Sequence, residues 1–187
     1  MSVRVFAYGS LVNRGTLPGV SHVEQGVAMG FSRAWRAASR TQTGGRCSLS
    51  VVAQAGESIE GLILTFDDDV FPAIAERERN YDALRLHDQD DVIIFRAKAA
   101  ADRFGDHEHP ILLSYVDTTL QGYVREFGIE GARRFMASTL GWHVPIVDDR
   151  HAPIYPRAQA LSASEEALVD ECLTMVDAVL TPVRQGG

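Results

Sequence analysis

The chain has 187 residues, enough for one substantial core, with 45% hydrophobic and 23% charged residues, the balance of an ordinary globular protein. A formal charge of -7 leaves no basic stripe to neutralise phosphates, which excludes a nucleic-acid partner. No apolar run reaches the roughly 18–20 residues of a membrane span, no signal-peptide pattern opens the chain, and Cys47 and Cys172 lie too far apart for a zinc or disulfide framework, so a cytoplasmic protein with reduced thiols and no membrane partner is expected.

Val3–Ala7 is an apolar run suited to a buried strand, and it enters Tyr8-Gly9-Ser10-Leu11. Glycine permits a sharp turn at the strand end, and the N–H groups of such a turn can gather round an anion or a carbonyl oxygen. Gly26–Ala37 alternates with period two, Gly44-Gly45 marks a turn, and Cys47–Ala53 reads as the next strand. A turn at Gly56-Glu57 and a strand Ile59–Phe66 complete an expected hairpin. Leu84–Leu86 and Val92–Arg96 form a further pair, split by the polar run His87–Asp91.

Asp67-Asp68-Asp69 supplies cap candidates for a helix whose first turn tolerates Pro72. Ile111–Phe127 places Ile111, Leu112, Tyr115, Leu120 and Tyr123 on one helical face, and Gly131–Leu140 reads as another helix. Residues 141–160 form an irregular connection, and Ser162-Ala163-Ser164-Glu165 is a capping box opening a helix to about Leu180. Strands come first and helices late, an α+β chain. A single domain over 1–187 is expected, with 129–187 a helical C-terminal extension packed on it.

Glu78 lies seven, four and three positions beyond Phe71, Ile74 and Ala75, on the same apolar stripe. An ionised carboxylate facing a core is costly unless paired, and burial raises its pKa toward the range useful for proton transfer. The plainer reading is a solvated residue at a fraying helix end, paired with Arg77 or Arg79.

Phe6-Ala7-Tyr8-Gly9-Ser10-Leu11, with Glu76–Tyr81 about seventy residues later, resembles the γ-glutamylcyclotransferase superfamily, most of all its ChaC-like and AIG2-like branches, and the loop ends in leucine as in ChaC-like members. The resemblance is carried by residues 3–95. It implies a small mixed β-barrel of about six or seven strands with surrounding helices. It implies further that Tyr8, Gly9, Ser10 and Leu11 hold a γ-glutamyl group and that Glu78, in Arg77-Glu78-Arg79-Asn80-Tyr81, is the catalytic acid/base. Tyr115, followed seven positions on by Gly122, matches a helical tyrosine that lines the pocket in the family. The implied partner is a small γ-glutamyl substrate, with no cofactor and no metal.

Other residues carry less. Ser10 lacks the Gly-x-Ser-x-Gly elbow of a nucleophile and reads as a loop hydrogen-bonder. Asp106-His107-Glu108-His109 contains metal-ligand types but sits between Gly105 and Pro110 as a solvated loop. The charged stretch from Asp148 to Arg157 is expected to fold back and pair its own charges, with Arg157 at the pocket mouth as the lesser option. A non-catalytic binder of a small carboxylate or amine, using the same pocket, is the competing function.

Overall fold

The computed structural model describes residues 2–17, 19–41, 44–86 and 89–183. Nine strands among them join in one sheet, and three α-helices accompany it, so the α+β expectation holds. The strand count exceeds six or seven because four of the strands are only two or three residues long.

Strand β1 (Ser2–Ala7) lies between β3 (Gly44–Asp67), antiparallel, and β5 (Gln89–Ala97), parallel. Its inner residues Val5, Phe6 and Ala7 are buried, as a central strand requires. Two short 3-10 turns, Ser10–Val12 and Arg14–Thr16, follow it directly. Strand β2 (Val20–Thr41) pairs with β3 along nearly their whole lengths. The expected turn at Gly56-Glu57 is therefore absent, and Cys47–Ala53 and Ile59–Phe66 are parts of one strand. Gly30 and Gly56, at φ 78 and φ 86, take up the irregularity where the register shifts between Met29 and Phe31. A glycine in each strand lets the ribbon kink there without ending.

Helix α1 (Phe71–Arg77) begins at Val70 with no side-chain cap, so the aspartates before it do not serve as its N-cap; Pro72 sits in its first turn as expected. Strands β4 (Tyr81–Leu86) and β5 pair antiparallel; of the polar run between them, His87 and Asp88 lie outside the described residues. After β6 (Ile111–Leu112) comes α2 (Leu113–Ser138), which is interrupted at Gly128, where φ is 71. The two helices read from the sequence are thus the two arms of one kinked helix.

The first arm is not amphipathic. Every residue from Leu113 to Tyr123 is buried, including Ser114, Asp117, Thr118, Thr119 and Gln121. Its polar side is covered by the chain that returns after β7 (Thr139–Leu140) and β8 (Ile146–Asp148). Asp149 accepts from the Ser114 amide at 2.8 Å, and Arg150 donates twice to Asp117 at 2.8 and 2.9 Å. Asp149 and Arg150 therefore pair with α2 instead of with each other. Burial raises the Asp117 pKa, and Arg150 opposes the shift. Helix α3 (Ala163–Thr174) opens on the expected capping box but stops at Thr174, short of Leu180, which lies in β9 (Leu180–Pro182).

One apolar cluster runs from Val5 to Leu173 and includes residues of α2 and α3. Trp35 and Trp142 belong to it, edge to face at 5.2 Å. No helix among the described residues is long and apolar enough to cross a membrane.

Candidate active site

The six residues picked out from the sequence meet in one place. Tyr8, Gly9, Ser10, Leu11, Glu78 and Tyr115 all line a narrow recess of about 30 Å³. It adjoins a cavity of about 120 Å³ with which it shares Ser10, Glu78, Tyr81 and Tyr115. Strand β1 delivers the turn, α1 delivers the glutamate and α2 delivers Tyr115.

Glu78 is one residue beyond the end of α1, at its C-cap. The helical stripe that pointed to it is thus imperfect, and Ala75 on that stripe is exposed. Its side chain is nonetheless only 14% exposed, and the Arg77 Nε lies 3.3 Å from the carboxylate. Burial raises the Glu78 pKa, while the charges of Arg77 and Arg157 pull it back. Both sequence readings thus describe part of it: the carboxylate ends a helix beside an arginine, and it is buried.

The turn is held from several sides. Tyr8 donates its hydroxyl to the Phe95 carbonyl, and its own carbonyl accepts from the Tyr123 hydroxyl at 3.1 Å. Ser10 Oγ accepts from the Tyr155 hydroxyl at 2.9 Å and from Arg77 at 3.2 Å. Arg77 also donates to the Thr16 carbonyl at 3.1 Å, which ties the second 3-10 turn to α1. Ser10 is therefore an acceptor within a network, and no histidine among the described residues bonds to it. The first N–H groups of a helical turn have no partner inside it, and those at Ser10 and Leu11 open the turn after Gly9.

Three phenols surround the carboxylate. Burial is the main cause that raises the pKa of Tyr8, Tyr81 and Tyr115, and the nearby charge of Glu78 raises each further. They stay neutral donors across the physiological range. Tyr115 stacks edge-to-face on Tyr155 at 5.0 Å, and its hydroxyl sits where a side chain on Gly9 would fall, 2.9 Å from an added Cβ. Gly122, seven positions on from Tyr115, packs against the loop after β1. A Cβ there would lie 2.6 Å from the Asn13 amide nitrogen, so it lets the loop after β1 close on α2.

Sequence reasoning missed Tyr155 and Arg46, both of which line the larger cavity. Tyr155 was visible only as part of a proline-punctuated stretch, and Arg46 lies in a long strand with no motif around it. Arg157 also lines the cavity, the lesser of its two sequence readings. Cys47 is buried in the wall with its thiol pushed up to about 12, chiefly by burial. Asp106 caps a tight turn, accepting from the Glu108 and His109 amides at 2.9 and 2.8 Å, and its pKa is lowered mainly by its bond to the His109 ring. No group of three metal-ligating side chains occurs among the described residues.

No protein-family model matches the sequence, and no curated protein matches it significantly. The fold does have relatives among solved structures. A γ-glutamyl cyclotransferase structure superposes with a TM-score of 0.52 over 91% of this chain and 99% of its own, at 13% identity. The crystal structure of an uncharacterized human protein superposes with a TM-score of 0.52 over 90% of this chain and 98% of its own, at 12% identity. The fold is thus one that a γ-glutamyl cyclotransferase structure shares.

Proposed function

We propose, from this fold and this recess, that the chain is a γ-glutamylcyclotransferase that closes the γ-glutamyl group of a small peptide or amine to 5-oxoproline. The observation that carries the reading is that a buried carboxylate, Glu78, lines the same recess as the Tyr8–Leu11 turn. A small-carboxylate binder would have no use for a desolvated acid at that position, which costs stability and repels its ligand.

The reaction is an acyl transfer to an amine within the same molecule. The α-nitrogen bonds to the γ-carbonyl carbon, and the bond from that carbon to the leaving nitrogen breaks. Two protons pass from the α-ammonium to the leaving nitrogen. Ring closure is unimolecular, so much of the rate comes from holding the bent conformer. Glu78 takes a proton from the α-nitrogen and returns one to the leaving nitrogen, and its raised pKa brings it nearer to both partners. The N–H groups of the Ser10–Leu11 turn hold the substrate carboxylate or the charge that develops on the γ-carbonyl oxygen. The chemistry is redox-neutral and calls for no cofactor.

The test is incubation with a panel of γ-glutamyl amino acids, peptides and amines while 5-oxoproline is measured. Glu78→Gln is expected to lose about 10²–10⁴-fold in kcat while keeping the wild-type circular dichroism and binding of a glutamate analogue. A panel that yields no 5-oxoproline, or a Glu78→Gln variant that turns over normally, overturns the reading.

A further inference from the structure

The cavity beside Glu78 carries more positive charge than ring closure uses. Three arginines, Arg46, Arg77 and Arg157, line it against the single carboxylate of Glu78. Arg77 is committed to the protein, bonded to Ser10, Thr16 and Tyr155 and adjacent to Glu78. Arg46 and Arg157 have no ion pair and no side-chain hydrogen bond among the described residues. That is unusual in this chain, where Arg4, Arg36, Arg103, Arg134 and Arg150 all pair with acids. Burial and the repulsion of Arg77 depress the Arg157 pKa, and the charge of Glu78 offsets this only in part.

We propose that Arg46 and Arg157 bind a carboxylate on the leaving group, so that the substrate is a γ-glutamyl amino acid or peptide rather than a γ-glutamyl alkylamine. The inference rests on the cyclotransferase reading above. With the γ-glutamyl unit in the recess under the Tyr8–Leu11 turn, the leaving nitrogen stays beside Glu78, and whatever it carries projects into the larger cavity. Both guanidiniums line that cavity, near enough for the charge of Arg46 to act on Arg157. A carboxylate accepts charge-assisted and bidentate hydrogen bonds from such groups. A leaving amine whose only charge is positive meets two like charges instead. Arg46 also lines, with Leu112, a neighbouring cavity of about 510 Å³, which gives a leaving group larger than one residue somewhere to extend.

The experiment compares γ-glutamylglycine with γ-glutamylethylamide, which replaces the carboxylate by a methyl group and keeps the reacting amide. The wild-type protein is expected to favour the acid in kcat/KM by about tenfold or more, the scale of a hydrogen bond to a charged group. The preference should shrink at high salt and collapse toward one in Arg46→Gln/Arg157→Gln, while Arg157→Lys alone retains part of it. Equal kcat/KM for the two compounds in the wild type, or an undiminished preference in a double variant that melts like the wild type, overturns the inference and leaves the cyclotransferase reading standing. Absence of 5-oxoproline from both compounds overturns the two together.

Discussion

The two sides of the cavity are built differently. On the inner side Tyr8, Ser10, Arg77, Tyr115 and Tyr155 are buried or nearly so, and the polar groups of Ser10, Arg77 and Tyr155 are tied into one network. On the outer side Arg46, Asn80 and Arg157 line the space with side chains that make no hydrogen bond or ion pair among the described residues. The inner network fixes the turn and the acid relative to each other, which ring closure needs because small misplacements of reacting groups are expensive. The outer residues hold nothing in place, so their chemistry is available to a ligand.

The same substitution at two arginines separates these roles. Arg77→Met keeps an apolar stem but removes the donors to Ser10, Thr16 and Tyr155 and the charge beside Glu78. It is expected to destabilise by about 2 kcal/mol, a fall in Tm of roughly 5 °C for a chain of this size. Arg157→Met is expected to stay within about 0.5 kcal/mol of wild type. Equal shifts in thermal melts of the two variants would erase the distinction between the sides.

A smaller test stays within the inner network. Tyr155→Phe removes the hydroxyl that donates to Ser10 and leaves the ring against Tyr115. The expected cost is about 1 kcal/mol of stability. A loss in kcat/KM of about fivefold should accompany it, since Ser10 keeps its bond from Arg77 but loses one of two restraints. A kcat/KM unchanged by Tyr155→Phe would mean that the turn is held well enough without it.

How much of this was legible depended on distance along the chain. The strand before Gly9 and the capping box at Ser162 are local patterns and both survived, whereas the local turn at Gly56-Glu57 gave way to a strand paired along its length with β2. Glu78 was found through a motif and a helical stripe, though the helix ends at Arg77 and the carboxylate is buried by tertiary packing. Periodicity showed only the apolar face of α2, and it cannot see that Asp149 and Arg150 return to cover the polar one. Likewise, Tyr155 reaches Ser10 across 145 positions, and no pattern in either segment announces that contact. Gly122 has a contact that spacing could not show. Its spacing from Tyr115 matches the family pattern, and its lack of a side chain also lets Asn13 approach.

The smallest effect is the one that best joins the two sides. Arg157 is an outer residue, yet its charge is among the causes that lower the Glu78 pKa against the larger, raising effect of burial. Glu78 must be ionised to accept the proton of the α-ammonium, so the acid limb of kcat/KM follows its pKa in the free enzyme. Removing the cation in Arg157→Ala takes away a stabiliser of the ionised form. The acid limb should therefore move to higher pH, and activity on that limb should fall at any fixed pH. Arg157 is exposed, so the displacement is expected to be small and to vanish in 1 M salt, where the screening length is about 3 Å. Measured with γ-glutamylethylamide, which offers Arg157 no carboxylate, the shift reports on the acid alone. A limb that stays in place at low salt would mean that the charge of Arg157 does not reach Glu78, and the two sides of the cavity would then act independently.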